Sequence, residues 1–293
     1  FLLEHALIDI GAGVQWLKEK AGVERLVILG NSGGGSLMGA YQSQALGVTM
    51  TPTPGLSLTE GLNDLIPADF YISLCAHIGR PEVLTAWCDP SVIEESDPAS
   101  IDPDLNMYDS ANGPPYSKGF IARYRAAQEA RNHRITKWCH AELERLGKNG
   151  MFDRAFNLYR TWADLRLMDG AIDPSKREVG RCYAGDPKKA NFSPRGIGLT
   201  NTLRTWLSMW SLKDSHCRGV PHLNRITQPA LVLQSDADTG VFPSDAKAIF
   251  DAVGAKDKHL EMIEGDHYLQ APEDARAKVA DLIIDWLKAR DAH

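Results

Sequence analysis

"RLVILGNSGGGSLMGAYQ", residues 25–42, places Ser32 among glycines, between an apolar run and a series of helix-forming residues. Residues 26–29 are continuously apolar, which is typical of a short strand covered on both faces in a parallel sheet. The run ends at Gly30, and glycines surround Ser32 on both sides. This stretch therefore predicts a strand, a sharp turn that carries Ser32, and a helix that follows the turn.

The same alternation of elements extends along the chain. Three further apolar runs predict buried strands, at 70–75, 230–234 and 259–263. Apolar residues at helical spacing predict helices at 2–20 and 36–46, and a closing helix that begins at Pro272. Strands that alternate with helices predict an α/β fold, a parallel sheet flanked by helices.

The character of the sequence changes between residues 81 and 215. Five of the seven tryptophans fall there, among loops rich in proline, aspartate and glycine. Helices are predicted near 117–147, 151–168 and 199–211, and no run in this part is typical of a sheet strand. Residues 81–215 are therefore interpreted as a helical cap inserted into a core formed by residues 1–80 and 216–293.

Composition limits the classes of protein to consider. The chain has 293 residues, a net charge of −6 and five widely spaced cysteines without a CxxC pair. These features predict neither a nucleic-acid binder nor a disulfide framework nor a zinc site. No 18-residue apolar window and no basic leader occur, so a cytoplasmic protein without a membrane partner is expected. The expected partner is a small-molecule substrate, and a homo-oligomer is left open.

The turn at Ser32 matches a strand, then Gly-x-Ser-x-Gly, then a helix, with Gly30 and Gly34 as the outer glycines. Such a turn lifts the serine hydroxyl above the carboxyl edge of the sheet. The N–H of Gly33, at the helix start, is then predicted to stabilise an oxyanion. The alternative, a phosphate-binding turn, is not favoured because the P-loop lysine and the GxGxxG spacing are both missing.

A serine needs a base to take its proton and an acid to orient that base. His267 follows the fourth predicted strand in a Gly-Asp-His turn, and Asp236 and Asp238 follow the third. Of the other histidines, His77 ends the second strand at the same edge and is a candidate substrate contact or a plain loop residue. A further five are expected to be solvated or at the wrong edge: His133, His140, His216, His222 and His259.

This arrangement resembles the α/β-hydrolase superfamily, in its serine esterase-like branch with a helical cap. The resemblance covers residues 1–80 and 216–293. Family members place the catalytic aspartate three residues after a glycine, and here Ser235 replaces that glycine, which indicates Asp238 rather than Asp236. Dehalogenase and epoxide-hydrolase relatives would carry an aspartate in the turn where this sequence has Ser32, so the resemblance argues against those relatives. No metal or organic cofactor is implied.

The resemblance also raises an expectation about the N-terminal side. In this fold several strands precede the strand that leads to the nucleophile, and a loop after an earlier strand supplies a second oxyanion donor. Here about one helix precedes Leu26. We therefore expect that roughly a hundred further residues precede this sequence in a longer protein, and that residues 25–30 form an uncovered edge strand.

Charge is unevenly distributed within the predicted cap. Residues 118–166 carry a net charge of +6, whereas the rest of the chain carries −12. One interpretation is attraction of an anionic substrate. The other is a solvated helix crossed by ion pairs such as Arg125–Glu129.

The sequence thus predicts a serine hydrolase that cleaves a carboxylic ester by acyl transfer, with Ser32 as nucleophile, His267 as base and Asp238 as orienting acid. Alternatives on the same triad are lactone, thioester and carbon–carbon bond hydrolysis. An alternative of another class is a binding protein of this fold without turnover.

Overall fold

The computed structural model describes residues 1–290. Within them, the helices are α1 Leu3–Glu19, α2 Gly33–Ala45, α3 Arg80–Trp87, α4 Lys118–Gly147, α5 Pro187–Asn191, α6 Leu203–Met209, α7 Gly219–Leu223, α8 Pro243–Ala252 and α9 Ala275–Lys288. The strands are β1 Val27–Asn31, β2 Phe70–Leu74, β3 Val92–Glu94, β4 Asp97–Ile101, β5 Ala155–Asn157, β6 Thr200–Thr202, β7 Ala230–Ser235 and β8 Lys258–Ile263.

A parallel sheet in the order β1-β2-β7-β8 forms the centre of the molecule. Its register pairs Gly30 with Ser73, Leu74 with Leu233, and Ser235 with Ile263. Because all four strands run the same way, the loops after β1, β2, β7 and β8 emerge at one edge. This edge is where the sequence places its candidate catalytic residues.

Side chains alternate between the two faces of the sheet along each strand, and helices pack against both faces. Tyr71 and Val232 pack in the larger core, which also includes residues of α1, α2 and α8. Ile72, Leu231 and Leu233 point to the opposite face and pack against α9. The predicted α/β class, a parallel sheet flanked by helices, is confirmed.

Most elements outside the 81–215 segment lie where the sequence predicts them. The four apolar runs form β1, β2, β7 and β8, and the helices at 2–20 and 36–46 correspond to α1 and α2. The prediction for the last helix is wrong at its start. Helix α9 begins at Ala275, so Pro272 lies before the helix and not in its first turn.

The 81–215 segment is less helical than expected. The 117–147 prediction is confirmed by α4, and α6 falls within 199–211. The helix predicted at 151–168 is wrong, since that stretch contains β5 and a single 3-10 turn. The expectation of no strands is also wrong: β3 pairs with β4, and β5 with β6, in two small antiparallel sheets.

Strand β1 lies at one edge of the sheet formed by the described residues, as the sequence predicts. Among residues 1–290, β1 pairs only with β2, and the 39% exposure of Leu29 shows that a face of the sheet is also partly uncovered there. Among the described helices, none combines the length and apolar character required to cross a bilayer.

Candidate active site

The turn between β1 and α2 holds Ser32 in a conformation that side chains rarely adopt, with φ +52° and ψ −121°. Two glycines make this turn sterically feasible. A Cβ on Gly30 would lie 2.5 Å from the Gly34 carbonyl oxygen, and one on Gly35 would lie 2.3 Å from the Ala76 Cβ. A Cβ on Gly34 would meet nothing within 4 Å. Gly34, an outer glycine of the motif, is therefore not needed for steric reasons, whereas Gly35 is.

The structure brings Ser32, His267 and Asp238 together in one hydrogen-bonded chain. His267 Nε2 lies 3.1 Å from Ser32 Oγ, and His267 Nδ1 lies 2.8 Å from Asp238 Oδ2. His267 and Asp238 are buried, whereas Ser32 is half-buried. A nucleophile, a base and an orienting acid need this connectivity for proton transfer.

Backbone N–H groups hold the Asp238 carboxylate in place. Its Oδ1 accepts hydrogen bonds from Gly240 at 2.7 Å and Val241 at 2.9 Å, which leaves Oδ2 for His267. Asp236, in contrast, forms an ion pair with Lys176 at 2.7 Å and does not contact His267. Of the two acids that the sequence offers, only Asp238 is placed to orient the imidazole.

Two aromatic rings enclose His267. Tyr183 stacks on the imidazole with ring centroids 5.6 Å apart and planes at 15°, and Tyr268 meets it edge-on at 4.7 Å. Tyr183 comes from the 81–215 segment, so the base is covered by a part of the chain distant in sequence. Limiting the access of water strengthens electrostatic interactions at such a site.

A cavity of about 90 Å³ lies above Ser32. The core contributes Ser32, Gly33, His77 and His267 to its walls, and the 81–215 segment contributes Trp87, Tyr183, Ile197 and Trp210, among others. Gly33 is the first residue of α2, so its N–H has no acceptor within the helix. That N–H lies beside Ser32, and its role as an oxyanion donor stays a prediction.

His77 lies at this cavity, where the sequence places a candidate substrate contact. A Cβ added at Gly33 would lie 3.7 Å from His77 Nε2. Burial and the positive charge of the neighbouring Arg80 lower the pKa of His77 to about 3, so the imidazole is neutral near pH 7. Its Nδ1 is buried and has no hydrogen-bond partner within residues 1–290.

The expectation that His222 is solvated is wrong. His222 is buried, and its ring contacts the His216 carbonyl oxygen at 2.6 Å and Gln44 Nε2 at 3.3 Å. His140 instead pairs with Asp214, and His259 is exposed.

The predicted Arg125–Glu129 ion pair is also wrong. Arg125 contacts Asp164 at 2.9 Å and Gln128 at 2.9 Å instead.

Sequence reasoning did not identify Arg80, nor the tryptophan, tyrosine and isoleucine side chains that line the cavity. Arg80 follows His77 by three residues at the same sheet edge, so the argument applied to His77 also applied to Arg80. Trp87, Tyr183, Ile197 and Trp210 carry no such local signal, because only tertiary packing brings them to Ser32. Within residues 1–290, no cluster of three or more histidine, cysteine or acidic side chains is placed to hold a metal ion.

No protein-family model and no curated protein matches this chain. Solved structures do. The α/β hydrolase GrgF from Penicillium sp. sh18 is 10% identical, with a TM-score of 0.51, over 100% of this chain and 74% of that chain. DcsB, solved in complex with its substrate analogue, is 11% identical, with the same TM-score and coverage. A monoacylglycerol lipase from Paleococcus ferrophilus is 15% identical, with a TM-score of 0.46, over 98% of this chain and 75% of that chain.

At 10–11% identity, the first two likenesses bear on the fold alone. The fold of this chain is that of the α/β hydrolases, as the resemblance in the sequence predicts for the fold.

Proposed function

We propose that this protein is a serine hydrolase that cleaves a carboxylic ester by acyl transfer. The observation that carries the proposal is the hydrogen-bonded chain from Ser32 through His267 to Asp238. This series of hydrogen bonds begins at Ser32, which has a positive φ and lies in a turn at the carboxyl edge of the parallel sheet. That combination of strain and hydrogen bonding is typical of an activated nucleophile.

In the first half of the reaction, Ser32 Oγ attacks the carbonyl carbon while His267 Nε2 takes the hydroxyl proton. The carbonyl oxygen becomes an oxyanion, which the Gly33 N–H stabilises. Asp238 holds the imidazole in the tautomer that accepts at Nε2 and stabilises the imidazolium that forms. Collapse of the intermediate expels the alcohol, which receives the proton from His267 and leaves the acyl group on Ser32.

In the second half, His267 takes a proton from water, and the resulting hydroxide attacks the acyl carbon. The new tetrahedral intermediate releases the acid, and the proton returns from His267 to Ser32. Lactone, thioester and carbon–carbon bond hydrolysis need the same groups. A panel of chromogenic esters, thioesters and lactones distinguishes these substrates by their kcat/KM values.

The nucleophile is tested with a fluorophosphonate probe, which reacts covalently with activated serines. We expect stoichiometric labelling of Ser32 in the intact protein, and no labelling of Ser32→Ala. His267→Ala should slow labelling and ester turnover by about 10⁴-fold or more. Ser36→Ala is the matched control, since Ser36 lies buried on α2 and outside the triad.

Full labelling of Ser36→Ala with none of Ser32→Ala supports the proposal. A folded wild-type protein that is not labelled contradicts it, and points to a binding protein of this fold.

A further inference from the structure

Arg80 places a positive charge next to the proposed nucleophile. Its Nη2 donates a hydrogen bond to the Gly33 carbonyl oxygen at 3.1 Å. A Cβ added at Gly33 would lie 3.3 Å from the same nitrogen, and the guanidinium carbon lies 5.6 Å from the Trp210 ring. The guanidinium therefore borders the cavity above Ser32, directly beside the residue that supplies the oxyanion donor.

No acid among residues 1–290 forms an ion pair with Arg80. Within residues 1–290, no carboxylate oxygen lies within 4.0 Å of the Arg80 guanidinium, and its Nε is buried without a hydrogen-bond partner. The nearest acid in sequence, Glu82, pairs with Arg218 at 2.8 Å instead. Most of the guanidinium's five N–H groups thus have no acceptor from the protein.

Three other arginines with little exposure have carboxylate partners, whereas the buried Arg177 donates to backbone carbonyls such as those of Arg166 and Ile172. Arg160 contacts Asp89 at 2.6 Å, Arg131 contacts Glu95 at 2.7 Å, and Arg166 contacts Asp164 at 2.8 Å. Buried charges are generally paired, because an unpaired charge loses its hydration without compensation. Arg80 departs from the rule that these three arginines follow, and it does so at the active-site cavity.

The rest of the cavity wall is suited to a small anion. His77 presents a neutral imidazole whose Nδ1 has no protein partner, and Trp87 and Trp210 contribute apolar faces. The acid closest to the cavity, Asp238, lies behind His267 with both oxygens occupied by hydrogen bonds. A volume of about 90 Å³ corresponds to about three water molecules, which limits the group that enters to a short one.

Tyr183 and His267 border two cavities. The cavity with Arg80 includes Ser32 and Gly33, whereas a second cavity of about 320 Å³ is lined by His267, Tyr183 and Tyr268 but not by Ser32. His267 gives its proton to the leaving alcohol, so the leaving group belongs on the second side. The acyl chain belongs on the side of Gly33 and Arg80.

We propose that Arg80 binds a carboxylate on the acyl part of the substrate, so that the substrates are half-esters of short dicarboxylic acids. This inference rests on the proposed function for the position of the scissile bond. The carboxylate supplies the missing partner of Arg80 through charge-assisted hydrogen bonds, which planar guanidinium groups form in pairs.

The first experiment measures binding without turnover. In Ser32→Ala, monomethyl succinate should bind more tightly than methyl pentanoate, its neutral analogue of similar length, as measured by calorimetry. The further change Arg80→Met should weaken monomethyl succinate binding by about 10- to 100-fold, the range for a hydrogen bond to a charged group. Arg145→Met is the matched control and should change nothing, because Arg145 is exposed, pairs with Glu142 and does not line the cavity with Ser32.

The second experiment measures turnover in the intact protein. The ratio of kcat/KM for monomethyl succinate to that for methyl pentanoate should fall by about 10- to 100-fold in Arg80→Met. Arg80→Lys should give an intermediate ratio, since lysine keeps the charge but not the planar pair of donors. Should Arg80→Met fail to fold, as judged by circular dichroism, Arg80→Lys supplies the comparison.

Each outcome has a defined meaning. Equal ratios in the wild type and both Arg80 variants overturn the proposal, as does equal binding of the two esters to Ser32→Ala. Butyryloxyacetate carries its carboxylate on the leaving group. A higher kcat/KM for butyryloxyacetate than for monomethyl succinate overturns the assignment of Arg80 to the acyl side. If Ser32→Ala binds monomethyl succinate selectively but the fluorophosphonate does not label the wild-type protein, the Arg80 site is supported and only the proposed hydrolase is refuted.

Discussion

Asp236 and Asp238 lie two residues apart in one turn, yet their carboxylates have different surroundings. We expect Asp238→Asn to lower kcat by about 10⁴-fold, because the amide favours the wrong imidazole tautomer and removes a charge beside the imidazolium. Asp236→Asn should change kcat by less than about threefold, since it loses a surface ion pair with Lys176. Steady-state kinetics on a chromogenic ester, with melting curves for both variants, distinguishes them. Loss of activity in Asp236→Asn alone would refute the assignment.

At the scale of single residues, the sequence could predict the parts of the site that follow strands. Ser32, Asp238 and His267 each lie in a turn directly after an apolar run, and parallel strands end at one edge. Arg80 has an equivalent position but was missed, because nothing in the sequence shows that it lacks an acidic partner. That property depends on Glu82 turning to Arg218, a contact between residues 136 positions apart.

The strand–turn–helix element depends on backbone packing at two glycines. Gly30→Ala and Gly35→Ala should each destabilise the protein by about 1–3 kcal/mol, since each new methyl overlaps atoms that cannot rotate away. Gly34→Ala should be neutral or stabilising by up to about 1 kcal/mol, because its methyl meets open space and alanine favours a helix. Urea unfolding of the three variants measures the difference. Equal destabilisation by all three would contradict this account of the turn.

At the scale of elements, apolar runs predicted the central sheet well, because the inner strands β2 and β7 are buried on both faces and the edge strands β1 and β8 are partly buried. The same reasoning failed at 151–168. Leu158, Trp162 and Leu165 in this stretch are buried, so their spacing imitates a helix. Arg160 between them has a φ of +62°, and Asp164 is extended, which together exclude a continuous helix. The apolar spacing there reflects a folded loop that packs on the core.

Across the whole molecule, most cations of residues 118–166 are paired with acids. Seven of its eleven cations contact acids: Arg125, Arg131, Arg145, Lys148, Arg154, Arg160 and Arg166. In four of these pairs, the acid lies outside residues 118–166 or far from its cation along the chain. Sequence spacing could not predict these four contacts. Attraction of an anion therefore rests on the unpaired Arg80 rather than on the charge of this segment.

Two buried histidines should make the whole molecule sensitive to acid. Burial lowers the pKa of His77 to about 3 and that of His222 to about 4, from an ordinary value of 6.5. Between pH 6.5 and about 4, the unfolded chain therefore binds protons at these residues that the folded chain does not. The free energy of unfolding should fall as pH drops through this window, by up to about 1.4 kcal/mol per pH unit for each histidine.

Replacement of one histidine tests the origin of this dependence. His222→Gln should lower stability near pH 7, because its two ring contacts are disturbed, but should reduce the slope between pH 4 and 6 by about 1.4 kcal/mol per unit. His259→Gln is the control, since that side chain is exposed and should leave the slope unchanged. Urea titrations at half-unit pH intervals measure the slopes of all three proteins. Identical slopes in the wild type and His222→Gln would show that His222 is protonated in the folded state and that its burial does not hold it neutral.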